Sequence, residues 1–224
     1  MALPDDLQLR GRLPARNQHH EGHPGGVEGH RGEARLNGAL RLVIRADGAA
    51  RGNPGPAACG AVLVDASLPG ALEPDAAPLA VVARALGTRT NNVAEYTGVL
   101  LALRLAQHLG AAEVDLVLDS NLVVEQLNLR WKVRDAKLRP LFAEVRRLLA
   151  GFRRWSAVHE PRERNRAADA LCNLALDDPQ AAAEAERRFA GRSGEADGAP
   201  LDPAPRREEA TDVPGQPGLF DSGG

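Results

Sequence analysis

The sequence predicts an α/β fold in which helices pack on a mixed sheet of five strands. Short apolar runs bounded by glycine, proline or aspartate recur between about residues 40 and 160, as expected for strands. Elsewhere in this region apolar residues recur every three or four positions, the pattern of a helix with one buried face. The order is three strands, a helix, a strand, two helices, a strand and a helix, which suits a sheet covered by helices.

The first half of this region is predicted to form the first three strands. Arg41–Asp47 is a short apolar run that ends in an acid, and a glycine- and proline-rich turn at residues 52–56 follows it. Ala57–Asp65 and Leu79–Gly87 are runs of alanine, valine and leucine separated by a stretch rich in Pro, Gly and Asp. These two runs indicate two strands joined by a long hairpin connection.

The second half begins with a change to the helical period. Asn92–Leu109 places its apolar residues on one stripe, and Gly110 is a stop signal. The remaining predicted elements are a strand at Val114–Asp119, a short helix at Ser120–Leu129, an amphipathic helix at 138–150, a strand at Phe152–His159 and a closing helix at Arg164–Leu176.

These elements predict one domain at residues 40–178, between disordered tails at 1–39 and 179–224 that lack apolar periodicity. No apolar run approaches the roughly 18 residues that cross a bilayer, and the N-terminus has no signal pattern. A cytoplasmic monomer that does not bind membranes is therefore expected. Cys59 and Cys172 each lie in an apolar run and are predicted to be buried free thiols.

The net charge of -2 conceals an uneven distribution of charge. Between residues 130 and 166 twelve basic residues stand against four acidic ones. Such a segment can contact phosphates, although a solvated helix face explains any single arginine equally well.

Four acidic residues lie at the ends of predicted elements, and each has a structural explanation as well as a chemical one. Asp47 could begin a turn, and Glu95 follows Asn92 at the spacing of a capping box. Asp119 could cap the next helix, and Asp169 could complement the dipole of the last one.

Together these acids predict a metal site. If the strands that end in Asp47 and Asp119 are neighbours in the sheet, the carboxylates gather at one edge. They would repel one another unless divalent cations neutralised them. Ligand sets made only of oxygen select hard ions, so Mg²⁺ is expected, with Mn²⁺ as a substitute.

Four stretches of the sequence carry a family resemblance. In order and spacing, DGAARGNPGPAACGAVL, TNNVAEYTGVLLAL, LDSNLVVEQL and HEPRERNRAADALCNLAL resemble the type 1 ribonuclease H family, particularly its short bacterial and archaeal-like members. The resemblance covers about residues 41–177 and implies a five-stranded mixed sheet with its first three strands antiparallel and helices on both faces. It also implies that the catalytic, metal-binding acids are Asp47, Glu95, Asp119 and Asp169.

The implied activity is endonucleolytic hydrolysis of the RNA strand of RNA–DNA hybrids with two metal ions, as in removal of primers and R-loops. Asp47 would bridge both ions, and the products would carry 5′-phosphate and 3′-hydroxyl ends. His159 stands where related enzymes have a mobile histidine that assists proton transfer or product release. An ordinary packing role at the end of a strand is the alternative for this histidine.

The resemblance also implies residues that contact the hybrid. Asn53, Asn91 and Asn92 match positions that contact its minor groove, where amides can both donate and accept hydrogen bonds. Thr90 matches a contact to a DNA phosphate, and Asn121 stands where many relatives have glutamine. Turn formation and helix capping are the alternatives for Asn53 and Asn92.

One feature of some bacterial members is missing, namely their long basic, aromatic-containing protrusion. The chain passes directly from Leu129 through the basic residues Arg130, Lys132 and Arg134, which are the candidates for phosphate contacts in its place. Two other functions are alternatives. A proofreading-type exonuclease shares the acidic metal chemistry, but its motifs occur in another order. A non-catalytic hybrid-binding module would have the same sheet but would lack at least one of the acids.

The last motif lies near the C-terminus, in a polar tail. Gln216, Leu219 and Phe220 resemble the short Gln-x-x-Leu-Phe peptide by which many bacterial replication and repair proteins bind the sliding clamp. Leu219 and Phe220 are apolar anchors that a disordered tail cannot bury. A chance pattern is the alternative.

Overall fold

The computed structural model describes residues 39–190, which form five strands and five helices. In chain order the elements are β1 Arg41–Ala50, β2 Gly55–Asp65, β3 Ala80–Arg89, α1 Asn91–His108, β4 Glu113–Leu118, α2 Asn121–Leu127, α3 Leu138–Leu149, β5 Arg154–His159, α4 Arg166–Asp177 and α5 Pro179–Ala190, with one 3-10 turn at Arg162–Arg164 between β5 and α4.

The five strands form a single mixed sheet in the order β3-β2-β1-β4-β5. β1, β2 and β3 are antiparallel neighbours, whereas β4 runs parallel to both β1 and β5. The fold predicted from the sequence is therefore confirmed. Ala46 and Leu118 are the last residues paired between β1 and β4, while β1 continues to Ala50 against β2.

Successive side chains of a strand point to opposite faces of the sheet, so an apolar layer forms on each face. One layer contains Leu42 and Ile44 of β1 together with buried residues of α1, α2 and α3. The opposite layer contains Ala58 and Val62 of β2 together with buried residues of α4 and α5. Helices consequently cover both faces, as expected. Cys59 and Cys172 are buried free thiols, which also matches the prediction.

Two glycines allow a helix on each face to approach the sheet closely. A Cβ atom on Gly48 would lie 2.1 Å from the backbone nitrogen of Glu95 in α1. A Cβ atom on Gly60 would lie 2.3 Å from the carbonyl oxygen of Ala168 in α4. Because side chains at these positions would displace the helix backbones, glycine brings the acid-bearing turns of α1 and α4 against the strands.

The predicted domain boundary at residue 178 is wrong, because α5 is a packed part of the domain. Ala182 and Ala185 are buried in the second apolar layer. Glu186 accepts hydrogen bonds from the backbone nitrogen of Ala83 and from Arg84, both at 2.8 Å, and so covers an amide on the edge strand β3. The fully buried positions of this helix are alanines, and its one large apolar side chain, Phe189, packs partly buried near the end of the helix, so the apolar periodicity of residues 179–190 is weak in the sequence.

The predicted tails otherwise lie outside the described residues, at positions 1–38 and 191–224, and so do Gln216, Leu219 and Phe220. In the part of the chain that the structure describes, no helix has the length and apolar character needed to cross a membrane.

Candidate active site

Asp47 and Asp119 meet where the parallel pair β1 and β4 ends. Asp119 directly follows Leu118, the last residue of β4. Asp47 was predicted to end β1, but this is wrong, because the strand continues for three residues along β2. Asp47 instead follows Ala46, the last residue that pairs with β4. The predicted adjacency of the two strands is confirmed, and it brings both acids to one edge.

Glu95 reaches the same edge from the first turns of α1. The helix begins at Asn91 with Thr90 as its N-cap residue, so Asn92 is not the cap that a capping box requires. The Glu95 carboxylate accepts a hydrogen bond from Nδ2 of Asn91 at 3.3 Å. The carboxylate also has a hydrogen bond with Ser120, the residue after Asp119, so it lies between the start of α1 and the end of β4.

The three acids form a compact cluster of carboxylates. One oxygen from each of Asp47, Glu95 and Asp119 lies within 4.8 Å of the others. Asp47 is only 4% exposed, and its Oδ2 atom is buried without a hydrogen-bond partner among the described residues. An unpartnered buried carboxylate oxygen is costly, which makes the cluster suited to a cation.

The pKa values of the cluster reflect burial and mutual repulsion. Burial, with the charges of Asp119 and Asp169, raises the pKa of Asp47 to about 6. Burial, with the charges of Asp47 and Asp119, raises the pKa of Glu95 to about 8. A divalent cation would relieve both effects. The donor set, made only of carboxylate oxygens, therefore fits Mg²⁺ or Mn²⁺.

Asp169 lies beside this cluster, in the first turn of α4, where its charge also suits the helix dipole. It is outside the group of three close oxygens, although its charge contributes to the raised pKa of Asp47. Asp169 accepts a hydrogen bond from the guanidinium of Arg162 at 2.6 Å and another from Asn173 at 3.0 Å. The role of Arg162 was not predicted from the sequence.

Asn165 is a second residue that the sequence analysis missed. It is the N-cap residue of α4 and is 1% exposed. Its Nδ2 atom donates to the carbonyl oxygen of Ala46 at 3.0 Å and to Oδ1 of Asp119 at 2.9 Å. The only signal in the sequence is an amide in the middle of the last motif, four residues before Asp169.

His159 ends β5 opposite Leu118 and is exposed. It therefore lies at the same edge of the sheet as Asp119. His159 interacts electrostatically with Glu125 of α2, whose pKa is lowered mainly by the hydrogen bond from Arg130 and to a smaller extent by His159. The described contacts do not bring His159 into the carboxylate cluster.

The predicted substrate residues lie along the rim of the cluster. Oδ1 of Asn53 accepts a hydrogen bond from the backbone nitrogen of Asn91 at 3.3 Å, so the turn after β1 is attached to the start of α1. Thr90 is partly exposed, and Asn92 and Asn121 are exposed at the starts of α1 and α2. The amides that were predicted separately are thus grouped around the amino ends of two helices.

A groove of about 550 Å³ continues from Asn92 toward the predicted basic residues, which line it together with Trp131 and Leu138. Trp131 is 49% exposed. Arg130 is held by Glu125 through two hydrogen bonds of 2.6 and 2.7 Å. Lys132 and Arg134, by contrast, make no ion pair with any residue between 39 and 190, and they line the groove together with Asp135.

The chain is similar to known proteins in sequence and in structure. A family model described as "Reverse transcriptase-like" matches residues 45–175. The bifunctional protein Rv2228c of Mycobacterium tuberculosis is 44% identical over 138 residues, which are 62% of this chain and 36% of that protein. The chain spans from 36% to 62% of the length of the curated relatives that it matches.

Two solved structures are similar over nearly their whole length. RNase H1 of the archaeon Halobacterium salinarum is 43% identical, with a TM-score of 0.57, over 62% of this chain and 98% of that one. LC11-RNase H1 in complex with an RNA/DNA hybrid is 35% identical, with a TM-score of 0.55, over 62% of this chain and 98% of that one.

Proposed function

The chain belongs to the type 1 ribonuclease H family, and from this membership we propose that it is an endonuclease that hydrolyses the RNA strand of RNA–DNA hybrids. The observation that carries the proposal is the cluster of Asp47, Glu95 and Asp119 at the end of β4. A buried group of like charges is poorly suited to stabilising a fold and well suited to binding cations at a phosphate.

Four acids would hold the metal ions: Asp47, Glu95 and Asp119 in the cluster, and Asp169 at its side. Bound Mg²⁺ or Mn²⁺ supplies positive charge at the scissile phosphate and lowers the pKa of a bound water. The acids orient this charge, and the buried position of Asp47 limits the access of bulk water. The products would carry 5′-phosphate and 3′-hydroxyl ends.

His159 and Arg162 would act on the periphery of the reacting group. His159 is exposed at the same edge of the sheet as Asp119, where its imidazole would assist proton transfer or product release. Arg162 is 70% exposed and holds Asp169 by an ion pair, so its guanidinium lies where the backbone of an approaching nucleic acid would meet it.

The hybrid would lie across the starts of α1 and α2. Asn53, Asn91, Asn92 and Asn121 would contact its minor groove, where the 2′-hydroxyl distinguishes RNA from DNA. Thr90 would contact a DNA phosphate. The groove lined by Arg130, Lys132 and Arg134 would continue these phosphate contacts, and the exposed ring of Trp131 offers a surface against which a sugar or base can pack.

The test is incubation of the purified chain with an end-labelled RNA–DNA hybrid and Mg²⁺. We expect cleavage of the RNA strand only, with no cutting of duplex DNA and no activity in EDTA. Asp47→Asn should abolish cleavage and leave the protein folded, because the change removes a repelled charge and no packing contact. Asp75→Asn, in the exposed connection between β2 and β3, is the matched control and should remain active.

Retained cleavage by Asp47→Asn at more than a few per cent of the normal rate would contradict the assignment of the metal ligands. Cleavage of both strands of the hybrid would contradict the proposed substrate.

We also propose that the protein acts as a cytoplasmic monomer and that it removes primers and R-loops.

A further proposal concerns the C-terminal motif. Gln216, Leu219 and Phe220 would attach the protein to a sliding clamp. The support for the clamp is the sequence pattern alone. Attachment would raise the local concentration of the nuclease at replicated DNA. A peptide of residues 213–224 should bind the clamp of the same organism at about 100 μM or below, in the range where tethering is effective. Equal binding after Leu219→Ala and Phe220→Ala would contradict this proposal.

A further inference from the structure

The side chain of Asn165 links two strands and a helix that carry the acids. Its Nδ2 atom donates one hydrogen bond to the carbonyl oxygen of Ala46, next to Asp47, and one to Oδ1 of Asp119. The backbone carbonyl oxygen of Asn165 accepts a hydrogen bond from the backbone nitrogen of Asp169 at 3.1 Å, as an i to i+4 bond at the start of α4. One residue is thus bonded to Asp119 and Asp169 and to the neighbour of Asp47.

The chemistry of an amide is required at this position. Both hydrogens of the NH₂ group are used, and both acceptors are oxygens, so the reversed orientation of the amide would bring oxygen against oxygen. The Oδ1 atom of Asn165 is buried and has no hydrogen-bond partner among the described residues. The side chain therefore acts through its donor group.

Asn165 is the N-cap residue of α4, but its side chain does not cap the helix. Asparagine at an N-cap usually accepts a hydrogen bond from an amide in the first turn of its helix. In α4 no such side-chain bond is formed, because the side chain is directed to the ends of β1 and β4. A local contribution to the helix is replaced by a bond to a carboxylate 46 residues away.

From these contacts we propose that Asn165 is a positioning residue for the metal site. It holds one oxygen of Asp119, sets the spacing between the ends of β1 and β4, and attaches the first turn of α4 to both. This inference rests on the proposed function only in that the cluster binds divalent ions. Partners that orient metal ligands typically change metal affinity by about 10- to 100-fold when they are removed.

Asn165→Ser separates positioning from capping. Serine is a good N-cap residue and keeps the start of α4 stable. Its hydroxyl lies one bond from Cβ, whereas Nδ2 of asparagine lies two bonds away, so serine does not reach both Ala46 and Asp119. Asn165→Ala removes the capping group as well. Asn128→Ala is the matched control, because Nδ2 of Asn128 donates to the carbonyl oxygen of Ala157 at 2.9 Å and contacts no acid of the cluster.

The experiment is titration of Mn²⁺ into each folded variant without nucleic acid, by calorimetry, followed by the Mg²⁺ dependence of hybrid cleavage. We expect Asn165→Ser and Asn165→Ala to bind Mn²⁺ about ten-fold or more weakly than the unchanged chain. Asn165→Ser should unfold at nearly the same temperature as the unchanged chain. Cleavage by Asn165→Ser should recover at high Mg²⁺ concentration, and Asn128→Ala should bind Mn²⁺ within two-fold of the unchanged chain.

Mn²⁺ affinity within two-fold of normal in Asn165→Ser would overturn the proposal, and so would an equal loss in Asn128→Ala. If Asn165→Ala does not fold, the Mn²⁺ affinity of Asn165→Ser alone tests the proposal. A failure of the proposed function has a different signature, because Mn²⁺ would then bind and depend on Asn165 while the unchanged chain left the hybrid intact.

Discussion

At the scale of single residues, the site holds three clustered carboxylates with Asp169 beside them, and of these four acids only Asp169 forms an ion pair with a described residue. Arg162 pairs with Asp169 and Asn165 donates to Asp119, while Asp47 and Glu95 have raised pKa values because they are buried beside other carboxylates. Acids with raised pKa values bind protons more tightly in the folded chain than in the unfolded one. Stability without metal should therefore depend on pH.

Glu95→Gln should reveal this dependence in EDTA. The pKa of Glu95 is raised from 4.5 to about 8, so between these values the folded state holds more protons than the unfolded state. The stabilisation is present at low pH and is lost as pH rises toward 8. We expect the unfolding free energy of the unchanged chain to fall relative to that of Glu95→Gln between pH 5 and pH 8, measured by chemical denaturation.

Glu184→Gln, at an exposed position of α5, is the control and should follow the unchanged chain at every pH. A constant difference between Glu95→Gln and the unchanged chain from pH 5 to pH 8 would show that Glu95 is ionised throughout this range. Mg²⁺ at pH 8 should stabilise the unchanged chain more than the variant, because the ion replaces the proton in relieving the repulsion.

At the scale of elements, α5 completes the layer on one face and covers an edge of the sheet. Edge strands expose unpaired amides, and covering them is one way to prevent pairing with other chains. Glu186 does so by accepting a hydrogen bond from the Ala83 amide and by pairing with Arg84. This polar contact adds to the apolar packing of Ala182, Ala185 and Phe189 against the sheet.

Glu186→Ala should lower the free energy of unfolding by about 1–3 kcal/mol, since it leaves the Ala83 amide without its partner. Urea denaturation would measure the change. Glu184→Ala removes an exposed pair with Arg187 on the same helix and should cost about 0.5 kcal/mol or less. Equal effects of the two substitutions would show that the edge contact contributes nothing beyond an ordinary surface pair.

At the scale of the whole molecule, the charges are separated into an acidic cluster and a basic groove. Several arginines of the basic segment form local ion pairs: Arg153 and Arg154 share Glu113, and Arg147 pairs with Glu144. Lys132 and Arg134 lack such pairs among residues 39–190. The number of basic residues in the sequence therefore overstates the charge available to a phosphate backbone.

Lys132→Ala combined with Arg134→Ala should reduce the salt dependence of hybrid binding. Each lost phosphate contact lowers the slope of log K against log salt by about 0.9. Fluorescence anisotropy of a labelled hybrid in Ca²⁺ would measure the slope. Arg153→Ala with Arg154→Ala removes two charges at the opposite end of β5 and should leave the slope unchanged. A larger change in this control pair would place the hybrid on another face.

Arg130 was predicted together with Lys132 and Arg134 as a phosphate contact, but its two bonds to Glu125 must first be broken. We therefore expect Arg130→Ala to add less to the change in slope than either of the other two. The sequence supplies the charge of each residue, whereas its availability depends on the partner that the fold places beside it.

The sequence by itself determined the order of strands and helices through apolar periodicity, and it singled out the four candidate acids through motifs whose order and spacing are specific. These features are local, because a strand alternates and a helix repeats within a few residues. The first and last residues of the strands and helices were predicted less accurately than their order. β1 extends past Asp47 because β2 continues to pair with it after β4 has ended.

The tertiary structure alone decided which atoms meet. Arg162 and Asn165 lie within the last motif, but the sequence does not show that they contact Asp169 and Asp119. These contacts form because the turn before α4 reaches the ends of β1 and β4. The packing of α5 depends on the edge of β3, which lies about 100 residues earlier in the chain. Hydrogen bonds and repulsion between carboxylates act over a few ångströms, so their partners are settled only when distant segments are brought together.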